Sequence, residues 1–178
     1  NYDSSVASYV HYLFSNTFEG FENVGDLVGI THKGKENGAV FADYDNDGFL
    51  DLYVYLEDGS VLYKNADKGL FENRTQAANI KSGQVNKALF FDMDQDGDLD
   101  LFEAVKTGIS VFRNNGDESF SEMASEMGFV WEGAMNTLDA AFGDFDDDGD
   151  VDLITLNENG TIELFINKRQ GKFERQID

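Results

Sequence analysis

Short apolar stretches alternate with polar turns along the chain, and their order repeats. An apolar segment, Gly38–Ala42, leads into an acidic turn, and an alternating segment, Leu50–Leu56, leaves it. The turn Glu57–Ser60, the segment Val61–Asn65, a Gly-bearing turn and the segment Leu70–Asn73 follow. The same order reads Ala88–Phe91, Leu99–Glu103, Ile109–Asn114 and Ser119–Glu122, and again Ala140–Gly143, Val151–Leu156, Ile162–Asn167 and Lys172–Arg175. Period-two alternation in segments this short, bounded by Gly, Asn and Asp, predicts antiparallel strands. With 18 Gly and no Pro, the turns fall to Gly, Asn and Asp.

Each unit therefore predicts four strands in about 50 residues, the size of one β-propeller blade. The N-terminus is ambiguous on pattern alone. Val6, Tyr9, Val10 and Leu13 have helical spacing, but Tyr12–Asn16 followed by Gly20–Asn23 mirrors Val61–Asn65 followed by Gly69–Asn73. The repeat is preferred, with residues from about His11 to Glu22 as two strands of a preceding blade. The expected fold class is all-β, propeller-type, with about three and a half blades. Residues 1–23 end one blade, and 24–73, 74–122 and 123–178 form three more. Closed propellers use about 4–8 blades, so the end blades keep an apolar face open. Either the chain is a fragment of a longer propeller, the reading preferred here, or several copies assemble.

The acidic turns share the pattern Asp-x-Asp-x-Asp-Gly-x-x-Asp-Leu. It starts at Asp43, recurs 49 residues later at Asp92, and 52 residues after that at Asp144. Carboxylates at alternate positions of a tight loop converge on one point, and Gly at the sixth position permits the sharp turn. Ca²⁺, a hard cation taking 6–8 oxygens, suits such a set. Three sites are expected. The first uses Asp43, Asp45, Asp47, the Phe49 carbonyl and Asp51. The second uses Asp92, Asp94, Asp96, the Asp98 carbonyl and Asp100. The third uses Asp144, Asp146, Asp148, the Asp150 carbonyl and Asp152. Leu52, Leu101 and Leu153 then point into the core. Solvated turns that bind nothing would leave four or more carboxylates repelling within ten residues. Mg²⁺ prefers few carboxylates and retained waters. Transition metals want imidazole or thiolate, and the chain has two His and no Cys. An EF-hand wants Glu at position 12 and flanking helices. That position holds Val54, Glu103 and Thr155, and the flanks read as strands.

The pattern resembles the FG-GAP/VCBS repeats of calcium-binding β-propellers, the type also found in integrin α-subunits. Phe142-Gly143 matches the FG element, while Phe41-Ala42 and Phe90-Phe91 depart from it in the same place. The resemblance implies a loop joining the first two strands of each blade. It also implies an extracellular or cell-surface home, in adhesion, matrix contact or as an appendage to a secreted enzyme.

Composition narrows the partners. Thirteen Lys and Arg stand against 35 Asp and Glu, a formal net charge of −22. Such a surface repels phosphate backbones and anionic headgroups, so nucleic acid is not an expected partner. No apolar run reaches the roughly 18 residues of a membrane span, so membrane insertion is not expected. The absence of Cys excludes disulfides and Cys nucleophiles. No signal peptide opens the chain, so a mature, truncated or intracellular form is expected.

His11 and His32 sit in unlike contexts, no nucleophile constellation is present, and the clustered carboxylates are taken by metal. An enzyme is not expected. The expected function is a non-catalytic, calcium-binding interaction module for a protein or carbohydrate ligand. The alternatives are a subunit that self-assembles through open blade faces, and the accessory propeller of a secreted carbohydrate-active enzyme. A partner surface is expected on the loops opposite the acidic turns, with Trp131 as an anchor or an inter-blade wedge. Asn73-Arg-Thr75 and Asn159-Gly-Thr161 fit the N-glycosylation sequon.

Overall fold

A computed structural model of the chain describes residues 12–67, 69–130 and 135–176. His11 and Trp131 lie outside them. The described chain is all-β apart from one 3₁₀ turn at Gly25–Leu27. Strands β1 (Phe14–Thr17) and β2 (Gly20–Asn23) form a two-stranded antiparallel sheet.

Three four-stranded sheets follow. The first holds β3 (Glu36–Ala42), β4 (Asp51–Leu56), β5 (Ser60–Asp67) and β6 (Leu70–Asn73). The second holds β7 (Val85–Phe91), β8 (Asp100–Val105), β9 (Gly108–Asn114) and β10 (Phe120–Glu122). The third holds β11 (Thr137–Gly143), β12 (Asp152–Asn157), β13 (Ile162–Asn167) and β14 (Phe173–Gln176). Each sheet is a meander in chain order, every neighbour antiparallel. The set does not close on itself. Among the described residues, no helix is long and apolar enough to cross a membrane.

Successive side chains of a strand point to opposite faces, so a strand buried on both sides joins two cores. β4 does so: Leu52, Val54 and Leu56 pack with Ile30, Val61 and Tyr63 on one face, with Leu13 and Val28 against them. Tyr53 and Tyr55 pack on the other face with Val85, Leu101, Val105 and Phe112 of the second sheet. β8 repeats the device. Leu101 and Val105 face the first sheet, while Phe102 and Ala104 face Leu153, Phe165 and Phe173 of the third. Each fully buried aromatic or Leu here contributes about 1.5–3 kcal/mol. Leu52, Leu101 and Leu153 are all buried, the orientation their place after the last motif Asp requires.

Among the described residues, nothing covers the outer face of the third sheet in this way. Leu138, Leu156 and Ile162 are exposed there, Ile162 to 66 %.

Candidate metal centres

Each acidic turn joins the first and second strands of a four-stranded sheet, between Ala42 and Asp51, Phe91 and Asp100, and Gly143 and Asp152. The three turns share one backbone form. The fourth residue is left-handed, with φ of 57° at Asn46, 61° at Gln95 and 59° at Asp147. The sixth is Gly, at 90°, 97° and 90°. A side chain at the sixth position would be strained, which is why Gly recurs there.

Hydrogen bonds then aim the carboxylates. The first Asp accepts from the backbone N–H of the fifth and sixth residues: Asp43 from Asp47 and Gly48, Asp92 from Asp96 and Gly97, Asp144 from Asp148 and Gly149, at 2.9 to 3.1 Å. The last Asp is buried and accepts two more. Asp51 takes Tyr44 and Asn65 N–H, Asp100 takes Met93 and Asn114, and Asp152 takes Phe145 and Asn167, at 2.7 to 3.2 Å.

In each turn three carboxylate oxygens come within 4.8 Å of one another: Asp43, Asp45 and Asp51; Asp92, Asp94 and Asp96; Asp144, Asp146 and Asp152. The other expected side-chain ligands lie beside these triplets. Asp47 and Asp148 each accept a backbone N–H two residues on, and Asp100 is held in the sheet by its two N–H donors. Phe49, Asp98 and Asp150 follow the Gly, where a backbone carbonyl was expected to serve. The side chains of Asp98 and Asp150 accept from Asn46 Nδ2 at 2.7 Å and Gln95 Nε2 at 2.6 Å, latching each turn to the next.

The donor set fits a hard cation. Asp45 is almost wholly buried, its side chain 5 % exposed, and its Oδ1 has no hydrogen-bond partner. Asp94 Oδ1 is also buried without one. An orphaned buried carboxylate oxygen is costly, and a metal would satisfy it. Burial is also the main reason Asp51 is pushed up to about 6 and Asp100 to about 7. The neighbouring carboxylates raise both further, against the backbone N–H bonds that hold them down.

Residues outside the motif brace the turns. Asn114 Nδ2 reaches from the second sheet to the Tyr44 carbonyl of the first turn, at 2.7 Å. Asn167 Nδ2 reaches from the third sheet to the Met93 carbonyl of the second, at 3.0 Å. Lys64 pairs with Asp45 and with Glu118, and Arg113 with Asp94 and Asp96. Asp45 is the main reason the Lys64 ammonium is held above its ordinary range, and Asp96 the main reason for Arg113. The sequence signal for these partners is an Asn at or near the end of the third strand of every repeat, at 65, 114 and 167, with Lys, Arg or Ile before it.

The remaining sequence candidates lie apart from the acidic turns. His32 is buried, with Nε2 2.7 Å from Glu36 Oε1 and Nδ1 3.1 Å from the Tyr63 hydroxyl, a structural setting. Asn73 and Asn159 are exposed, and each accepts the N–H of its sequon Thr. The loops opposite the acidic turns are tied by backbone bonds, from Glu57 to Lys35, Gly59 to Gly83, Lys106 to Gln84 and Glu158 to Asn136.

Comparison with known proteins bears on the fold and on the repeat. No curated protein matches the sequence. One solved structure, from a study of the specific recognition of non-reducing terminal N-acetylglucosamine by an Agrocybe aegerita lectin, aligns with a TM-score of 0.54 at 18% identity. The alignment covers 92% of this chain and 45% of that one, and it shows a shared fold. Residues 92–155, from the second acidic turn through the third and into β12, match the model of the FG-GAP-like repeat.

Proposed function

We propose that this chain is a non-catalytic binding module whose inter-strand turns are fixed by calcium, working outside the cell or at its surface. The observation that carries the reading is the threefold recurrence of one loop, each with three carboxylate oxygens inside 4.8 Å. Calcium would supply the positive charge that lets those carboxylates stay ionised together. Asp43, Asp45 and Asp51 would hold the first ion, Asp92, Asp94 and Asp96 the second, and Asp144, Asp146 and Asp152 the third, with Asp47, Asp100 and Asp148 close by. Extracellular modules bind calcium with dissociation constants of about 10⁻⁴–10⁻³ M, which suits millimolar calcium outside cells. The exposed sequons at Asn73 and Asn159 accord with that setting. A carbohydrate is the favoured ligand class, because a lectin shares the fold.

A second reading, self-assembly, is favoured by one feature: the uncovered apolar face bearing Leu138, Leu156 and Ile162. Thermal unfolding in millimolar Ca²⁺ and in excess EDTA tests the first reading, with light scattering testing the second. Each filled site should add about 2.7 kcal/mol at a hundredfold excess over its dissociation constant. An unchanged melting temperature would remove the calcium assignment. A monomeric mass in both conditions would remove self-assembly.

A further inference from the structure

We propose that Lys64 and Arg113 are tethered counter-ions that rank the three turns in metal affinity, the third turn filling first. The inference rests on the calcium reading above. The ranking comes from a single position, the residue before the Asn that recurs at or near the end of each third strand: Lys64, Arg113 and Ile166.

In the first turn the Lys64 ammonium, its side chain 15 % exposed, lies against Asp45 and 3.7 Å from Asp47 Oδ2. In the second, Arg113 Nε lies 2.7 Å from Asp94 Oδ2 and its Nη2 lies 3.0 Å from Asp96 Oδ2. The cations thus sit on the third and fifth residues of the motif, which the metal would also use. In the third turn the equivalent residue, Ile166, is apolar and buried. Among the described residues no Lys or Arg forms an ion pair with Asp144, Asp146, Asp148 or Asp152. Arg169 pairs instead with Asp150, 3.5 Å away, whose side chain lies outside the carboxylate triplet.

The physical consequence follows from charge. A cation entering the first or second turn meets carboxylates already part-neutralised and must share them with, or displace, a resident positive charge. A cation entering the third meets carboxylates with no cation in ion-pair contact: Lys168 acts on Asp146 only at longer range, and Arg169 is paired with Asp150. Ligand charge count tunes calcium affinity over orders of magnitude in loops of this kind. The built-in cations also hold the first two turns in shape without metal.

Calorimetric titration of chelator-stripped protein with Ca²⁺ tests the ranking without any variant. One tight site followed by two at least roughly tenfold weaker is expected. Asp146→Asn should remove the tight class and leave the two weaker sites. Tb³⁺ gives a site-resolved second readout. Tyr44 stands between Asp43 and Asp45, whereas Met93 and Phe145 occupy its place in the other turns. Tyr44-sensitised emission, defined by its loss in Tyr44→Phe, therefore reports the first turn. Lys64→Met should shift its half-saturation to about tenfold lower Tb³⁺. Three sites of equal affinity, a tight class that survives Asp146→Asn, or an unmoved Tb³⁺ midpoint in Lys64→Met would each overturn the ranking. The absence of any heat or emission would instead overturn the calcium reading itself.

Discussion

Glu103 shows how a residue's role is set by its face rather than its motif. It stands at the twelfth place of the second acidic turn, where a helical calcium loop would want a ligand. Yet it points away from the turn, fully buried between the first and second sheets. Its Oε1 accepts from the Tyr53 hydroxyl and from Ser82 Oγ, with Ser60 bonded to both of those donors, and its Oε2 has no partner. Burial pushes Glu103 up to about 7, against the hydroxyl donors that hold it down. The Tyr53 hydroxyl is raised as well, by burial first and then by Glu103. A folded-state value above the unfolded one means the folded chain holds the proton more tightly. The associated stability is complete below about pH 4.5 and is lost as pH rises through about 7. Glu103→Gln should therefore flatten the fall in melting temperature between about pH 5 and pH 8 in EDTA, adding roughly 1–3 kcal/mol at the upper end. A slope equal to that of the parent protein would show that the network does not titrate in this range. Sequence alone gave Glu103 its place on a strand, but its face depends on which sheet packs beside it.

At the scale of elements, the turns are positioned from the neighbouring sheet as much as from their own strands. Asn114 donates to the Tyr44 and Leu99 carbonyls and caps the Gly116 N–H, at 2.7, 3.1 and 3.0 Å. Asn114→Ala leaves those groups unpaired and should cost about 1–3 kcal/mol in urea unfolding. It should also weaken metal at the first turn, seventy residues away in sequence. Equal stability would mean that water replaces the amide. A second joint lies at Gly128, with φ +96° and a backbone so close to β14 that a Cβ would sit 2.1 Å from the Phe173 carbonyl oxygen. Gly128→Ala should lower stability by more than about 1 kcal/mol, because backbone and not a flexible side chain must give way. A melting temperature within error of the parent would refute that. The strands and the Asp spacing were legible because each recurs three times. The clamps were not: an Asn ending a strand reads equally as turn chemistry, and its partner carbonyl lies on another sheet.

At the scale of the whole molecule, the net charge of −22 makes the metal-free state self-repelling. In EDTA, raising salt from about 0.01 M to 0.15 M shortens the screening length from about 30 to 8 Å and should raise the melting temperature. Saturating calcium should reduce that salt response; an undiminished response would show that the repulsion lies outside the turns. The open ends of the sheet stack were foreseeable from the blade count, but which face would stay bare was not, since Ile154, Leu156 and Ile162 read like any other strand sequence. The meander order of every sheet has a kinetic consequence. Each sheet is complete within one continuous stretch of chain, and each acidic turn is contained in the hairpin that opens it. During synthesis a hairpin can close before the strands that follow have left the ribosome. Folding then proceeds as an N-to-C relay, each finished sheet giving the next emerging hairpin a surface on which to form.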